Sequence, residues 1–485
     1  MATTVTTSVS GVQYSGIWTM QQVNAAVAAG TWPHIPGAPV IGTATATGTT
    51  TASVTFTAPS DVGIPALTGY RVTSSPGGFT NTGASSPIVV SGLSPSTVYT
   101  FTVQATNVIG YGAASAASNS ITTLANLALY SWGYGDAGQL GNGSTANTSS
   151  PAQVGALANW AVLPAQGLSQ GNRFTVQVKN NGTMWSWGGG GDGNLGLGNV
   201  TSYSSPKQIG ALTNWLKVSA GYASGAVKTN GTLWMWGSGS EGQLGLGDTT
   251  NRSSPTQVGA LTDWAYIDSN FRFTMAVKTD GTLWSWGRNN DGQLGLGNTT
   301  FYSSPKQVGL LTNWLLVVAA GGYGAGQSSV RAIKTDGTLW AWGGNNSGRL
   351  GLGDTTNRSS PVQVGALTDW LKVSAGYGVN IAVKTNGTLW TWGFGGQGAL
   401  GLGNTTSYSS PKQVGLLTNW TKGTSGGGFQ LAIKGGTLWS WGQAGAGSLG
   451  LGNTTYYSSP KQVGALTTWS DVQTNNSAVM ALVVA

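Results

Sequence analysis

The stretch 226–237, AVKTNGTLWMWG, decides the fold of this chain. Residues 232–236 (TLWMW) alternate Trp234 and Trp236 on one face with Leu233 and Met235 on the other. A period of two marks a β-strand, and apolar residues on both faces fit a sheet packed between two neighbours. The strand before it ends at Ala226-Val227-Lys228, and Thr229-Asn230-Gly231 joins the two. Asn-Gly is a strong hairpin signal because both central turn positions need positive φ. Asn181-Gly182 and Asp280-Gly281 repeat it, and Gly435-Gly436 does the same work in another unit. Further out, a Trp-Gly pair returns at Trp132, Trp187, Trp236, Trp286, Trp342, Trp392 and Trp441, spaced by 49–56 residues. A second marker, Pro-x-Gln-(Val/Ile)-Gly, begins at Pro151, Pro206, Pro255, Pro305, Pro361, Pro411 and Pro460. Both markers count seven, and such a period predicts stacked four-stranded units.

The ends of the array predict closure. Residues 129–133 (LYSWG) form a strand that should follow a hairpin, and 478–484 (AVMALVV) form one that should precede it. Joined, they complete a seventh blade and remove the exposed edges of an open array. The expected fold is all-β: a seven-bladed β-propeller over 124–485 whose N- and C-terminal strands share the closing blade. The units resemble the regulator of chromosome condensation repeat family, through the Trp-Gly pairs and the Gly-Gln-Leu-Gly-Leu-Gly runs at 242–247 and 292–297. The resemblance covers about 127–485. The family's histidine before its Leu-Ala-Leu strand is absent, with Ser224 or Asn380 nearby instead. No acidic insertion resembles the wedge by which the founding member catalyses nucleotide exchange on a small GTPase. The resemblance thus implies the fold and not the exchange activity.

Ahead of the propeller, residues 36–123 read as a sandwich of short strands at 52–56, 69–73, 88–90 and 99–105. They resemble an immunoglobulin-like fibronectin type III domain, in which Leu93 and Tyr99 match the leucine and corner tyrosine, 67–72 (LTGYRV) matches the C strand, and Phe56 stands in for the strand-B tryptophan. Residues 1–35 form a third segment. Thr19-x-x-Gln22 is a capping box, Val23 and Val27 follow at helical spacing, and Gly30 and Pro33 stop the short helix. Residues 14–33 resemble a segment recurrent in phage structural and tail-fibre proteins. Two readings stand for it: a helical cap on the sandwich, or a docking segment whose Trp18 and Trp32 are buried only in an assembled particle.

Composition closes off most chemistry. The chain has no cysteine and one histidine, His34, which excludes thiolate sites and clustered imidazoles and leaves no Ser-His-Asp or Cys-His arrangement in the propeller. Glycines 237, 239 and 242 fit G-x-G-x-x-G, as does 188–193, but no helical pattern follows either run, so both read as turns. Asp136, Asp192, Glu241 and Asp291 recur at one loop position, where the other units carry Ser347, Gln397 and Ala446; they read as solvated loop acids. No catalytic residue, cofactor or metal ligand is expected, and the protein reads as a non-enzyme. No apolar run is long enough to span a bilayer, and the N-terminus lacks the features of a secretory signal. Of the formal net charge of +8, all lies beyond residue 126, because 1–126 holds one base, Arg71, and one acid, Asp61. Lys179, Lys228, Lys278, Lys334, Lys384 and Lys434 share one hairpin position. They read as a solvated basic ring, too sparse in charge and without interleaved aromatics for a nucleic-acid footprint.

Function is expected in unequal loops. From the first Trp of a unit to its hairpin Lys is 13 or 14 residues in four units, 19 from Trp160 to Lys179, and 20 from Trp314 to Lys334. The extra residues are placed at 166–173 and 321–331, between the first two strands of a blade. Gln166, Leu168, Gln170, Asn172, Arg173, Tyr323, Gln327 and Arg331 are the candidate target-binding residues. The expected role is a phage virion structural protein of tail-fibre, spike or head-decoration type, located on the particle surface. Other virion proteins would meet its N-terminal region, and a host glycan or protein would meet the propeller. The alternative is a non-viral secreted or intracellular protein-binding propeller, an inhibitor or scaffold.

Overall fold

The computed structural model describes residues 8–9, 12–13, 19–156, 159–160, 168–170, 173–270, 272–321, 327–474 and 477–484. The chain divides into two compact units, Met1–Asn126 and Leu127–Ala485.

In the first unit, Val40–Ala46, Thr51–Thr57 and Ile88–Ser91 form one antiparallel sheet. Gly69–Ser75, Thr80–Gly83, Val98–Thr106, Tyr111–Ala114 and Ile121–Thr122 form the other. Alternate residues of both sheets face inward, so Val54, Phe56, Tyr70, Val72, Val90, Phe101 and Val103 make the core between them. The Phe56 ring lies 4.7 Å from that of Tyr70. The Tyr99 hydroxyl accepts the Ser94 N–H at 2.9 Å, which ties a corner of the sandwich. The helix Met20–Ala28 has the capping box: Gln22 N–H donates to Thr19 Oγ1 at 3.3 Å, and Thr19 N–H to Gln22 Oε1 at 2.9 Å. No residue of this helix is buried, and Met20 and Val27 stand exposed. Val23 and Ala26 are half-buried.

The second unit consists of seven four-stranded antiparallel sheets. Six are sequential: blades one to six span 168–208, 215–257, 264–307, 314–363, 370–413 and 420–462. The closing blade is ordered Thr148–Gln153, Leu127–Gly133, Ala478–Val484, Trp469–Thr474 from rim to axis. Leu127 pairs with Val484 and Gly133 with Ala478, so two strands from each end of the array complete one sheet. Leu127 enters at the end of the blade that carries the Asn-Gly hairpins.

The second Trp of each pattern is sealed between blades: Trp132, Trp187, Trp236, Trp286, Trp342, Trp392 and Trp441 are all 0% exposed. Each contributes roughly 4–6 kcal/mol of gross transfer free energy, from about 150–250 Å² of burial. Apolar clusters run from one blade to the next; Phe273, Met275 and Val277 of blade three pack with Val317, Ala319 and Trp342 of blade four.

The hairpin lysines correct the sequence expectation. Lys179, Lys228, Lys278, Lys334 and Lys384 are buried, not solvated. Each is sandwiched between two tryptophans of its blade; Lys228 Nζ lies 3.8 Å from the Trp234 ring centre and 4.7 Å from that of Trp215. The negative ring faces replace part of the lost hydration, as cation–π contact requires. Two of these lysines also meet an acid, Lys278 with Asp263 at 3.2 Å and Lys384 with Asp369 at 3.3 Å. The aromatics do interleave with the lysines, but they take the charge out of contact with solvent.

At the axis the inner strands are stitched by Asp268 of blade three. Its carboxylate accepts the Ser219 hydroxyl of blade two at 3.0 Å and the Ala319 N–H of blade four at 2.8 Å. Ser219 Oγ in turn accepts the Ser269 N–H, and Asn270 donates to Ala319 O. Burial outweighs these bonds and raises the carboxyl to about 7.

Candidate functional site on the loop face

The face opposite the hairpins is built by one repeated loop. After each second Trp the chain turns through a glycine of positive φ, such as Gly287 at 100°. A later glycine lets the loop touch the next blade: Gly245 has φ 71°, and a Cβ there would lie 2.7 Å from Trp286 Nε1. The same tryptophan donates to Gln243 O at 2.9 Å, and Trp342 likewise to Gln293 O at 3.0 Å. Sequence thus fixes these loops twice, by a glycine that permits contact and an indole that bonds a buried loop carbonyl. Trp441 departs from the pattern and donates to Gln430 Oε1 at 3.2 Å.

On this frame the variable side chains make clasps between neighbouring blades. Asp136 of the closing blade pairs with Arg173 of blade one, and Glu241 of blade two pairs with Arg272 of blade three. Asp291 of blade three accepts the N–H groups of Gln327 and Ser328 at 3.1 Å each, and Arg349 Nη1 of blade four donates to Gln327 O at 2.9 Å. The C-terminal base of the 321–328 connection is therefore held from both sides. The carboxylate of Asp136 also raises the Tyr134 phenol through a hydrogen bond. Asp192 and Asp136 are exposed as expected, Asp192 accepting from Asn251 at 3.1 Å and Asp136 paired with Arg173; Glu241 is half-buried and paired, and Asp291 is buried. Charge is thus uneven around the face: it runs from the closing blade to blade four, whereas the corresponding loops of blades five and six carry Phe394, Gln397, Gln443 and Ala446.

The sequence-predicted residues scatter. Trp18, Gln166, Asn172 and Tyr323 lie outside the described residues. Leu168 and Gln170 belong to the inner strand Leu168–Gln170 of blade one, not to a loop. Register explains the misplacement. Trp160 pairs with Lys179 and Leu168 with Gln177, so the extra residues fall between Trp160 and Leu168, before the inner strand. Arg331 is also no loop residue. It lies in Ser329–Lys334, only 1% exposed, and donates to Val330 O at 3.1 Å and Arg349 O at 2.5 Å. Burial, with the nearby Arg349 charge, lowers its guanidinium to about 9. Arg173 and Gln327 do stand on the loop face, and Trp32, half-buried, lies in the other unit. The clasps by Glu241, Arg272, Asp291 and Arg349 were missed. The signal was present: Arg-Phe-Thr occurs at 173–175 and 272–274, each time one blade after a loop acid. Among the described residues, no group of three His, Asp or Glu is placed to hold a metal ion.

Comparison with known proteins agrees with this architecture. The profile described as Regulator of chromosome condensation (RCC1) repeat matches residues 128–178, 181–227, 230–277, 280–325, 336–383 and 386–433. The Fibronectin type III domain profile matches 37–121. The human E3 ubiquitin-protein ligase HERC2 is 38% identical over 81 residues, 17% of this chain and 2% of that protein. The Ultraviolet-B receptor UVR8 of Arabidopsis thaliana is 36% identical over 97 residues, 20% of this chain and 21% of the receptor. The matched stretches thus span from a fiftieth to a fifth of these relatives. Among solved structures, Prp20p of Saccharomyces cerevisiae superposes with a TM-score of 0.65 at 18% identity, over 75% of this chain and 92% of its own. Human WBSCR16 gives 0.62 at 20% identity, over 74% and 98%.

Proposed function

The chain belongs to the regulator of chromosome condensation (RCC1) repeat family, and on that premise we propose that it is a non-enzymatic protein-binding propeller that engages its partner through the loop face. The asymmetric charge of that face carries the proposal. A ring of seven equivalent loops offers a partner no orientation, whereas charges confined to one arc fix register and suppress wrong partners. The solved relative Prp20p is described as binding Gsp1p and histones, and protein binding is the general property taken from it. The clasped Gln327 and Ser328 support the reading, because residues held in place before binding lose less entropy on contact.

The test is affinity capture from extracts of the source organism, using the full chain and an R173E/R272E double variant. The wild type should retain a stoichiometric protein partner that the variant loses while keeping its tryptophan emission. Equal capture by both would reject the loop face.

A second reading, a virion attachment protein on the particle surface, is favoured by the N-terminal helix that buries none of its residues. In it, Trp18 and Trp32 dock to other virion proteins and the propeller meets a host glycan or protein. Mass spectrometry of purified virions separates the two readings.

A further inference from the structure

The inner strands, with the hairpin at 278–281, line a cavity of about 870 Å³. From blade two onward each inner strand begins at its first Trp, on the hairpin side, and the residue two places on lines the cavity. This position is Lys217, Tyr266, Leu316, Lys372, Lys422 and, in the closing blade, Asp471. All six line the cavity.

The lysines are not equivalent. Lys422 is bonded to Asp471. Lys372 Nζ donates to Thr421 O at 2.9 Å, next to Lys422, and feels the Asp471 carboxylate only at a distance. Lys217 Nζ lies 5.4 Å from the Tyr266 ring centre and is half-buried. None of the ion pairs among the described residues includes Lys217 or Lys372. The undescribed segments 157–158, 161–167, 171–172, 271, 322–326 and 475–476 contain no Asp or Glu, so no side-chain carboxylate there neutralises them. The carboxyl of Asp268, one layer deeper, is engaged by Ser219 and Ala319. Two ammonium groups thus face one partly desolvated cavity without a direct ion pair, while Asp471, bonded to Lys422, attracts Lys372 only through space; such an arrangement favours an incoming anion.

We propose that the hairpin-side half of the axial cavity is a binding site for an oxyanion, a carboxylate or phosphate group, held between Lys217 and Lys372. The cavity volume falls in the range of small-molecule sites. The ligand could be a free small anion or a carboxylate borne on a partner chain, and both offer the same oxygen acceptors. The site lies at the opposite end of the blades from the loop-face clasps and does not rest on them, so its failure would leave the loop-face reading standing.

The test is calorimetric titration of the full chain, at constant ionic strength, with inorganic phosphate, citrate and a hexaglutamate peptide. Saturable one-to-one binding of at least one probe is expected. Lys217→Gln or Lys372→Gln should weaken it roughly tenfold or more, as loss of a charge-assisted contact does. Lys207→Gln, on an outer strand, should not alter it, and Lys217→Arg should retain most of it, which separates lost charge from lost fold. Binding of phosphate or citrate assigns a free anion, and binding of hexaglutamate alone assigns a partner's carboxylates. No saturable binding of any probe, or wild-type affinity in both Gln variants, would overturn the proposal.

Discussion

Asp268 should make the propeller less stable at pH 8 than at pH 5. Its carboxyl is buried between three inner strands and raised to about 7, against 3.8 for an unperturbed aspartate. The folded state therefore holds the proton more tightly than the unfolded chain. That contribution is complete below pH 3.8 and is lost as pH rises through 7. Between pH 5 and 8 the loss amounts to about 2–3 kcal/mol, at about 1.4 kcal/mol for each unit by which the two states differ. Of the neighbouring groups on the cavity wall, burial pushes the Tyr266 phenol up and the Lys217 ammonium down, and Asp268→Asn separates the aspartate's contribution from theirs. The chain's single histidine, His34, lies in the other unit. All tryptophans but Trp18 and Trp32 lie in the propeller, so indole fluorescence isolates its unfolding. The assay is urea unfolding at pH 5, 6, 7 and 8 for the wild type and Asp268→Asn. The amide can still accept from Ala319 N–H and donate to Ser219 Oγ, so the variant should show a flat profile where the wild type slopes down. A wild type equally stable at pH 5 and 8, or a variant with the wild-type slope, would refute the reasoning.

Three further outcomes follow from the packing. Gly245→Ala places a Cβ against Trp286 at φ 71°, and should cost about 2–4 kcal/mol in denaturant unfolding, from left-handed strain plus overpacking. Deleting 478–485 removes the strand that pairs with Leu127–Gly133 and buries Val479, Met480 and Leu482 completely. This exceeds what a typical domain can lose, so size-exclusion chromatography should show aggregated or expanded material instead of a compact monomer peak. Tyr99→Phe leaves the Ser94 N–H without its acceptor and should reduce the unfolding free energy of the sandwich unit by about 1 kcal/mol in denaturant titration, with the propeller transition unchanged.

Much of the fold was legible because its causes are local. Asn-Gly turns and alternating Trp-Leu strands fix a hairpin from neighbouring residues, and seven copies closed by 129–133 and 478–484 determine the ring. What escaped depends on partners distant in sequence. Lys228 reads as a surface lysine until the strand beginning at Trp215 brings a second indole over it. Arg331 occupies a position that is Met275 or Ile381 in other blades, and only the fold shows that its guanidinium reaches the Arg349 carbonyl. The misplaced insertion of blade one was a counting problem. Distance from Trp160 to Lys179 fixes how many residues are extra, but only pairing shows on which side of the inner strand they fall. The cavity lysines were readable in principle, since the second residue after each first Trp can be aligned by eye.

The most direct test of the loop-face account is site-specific photocrosslinking. A crosslinking residue placed at position 347 or 397, on the loop face, should yield a covalent adduct with the captured partner. The same residue at 261 or 417, on the exposed leucines of the hairpin side, should yield none. Adducts from 261 or 417 but not from 347 or 397 would contradict the account.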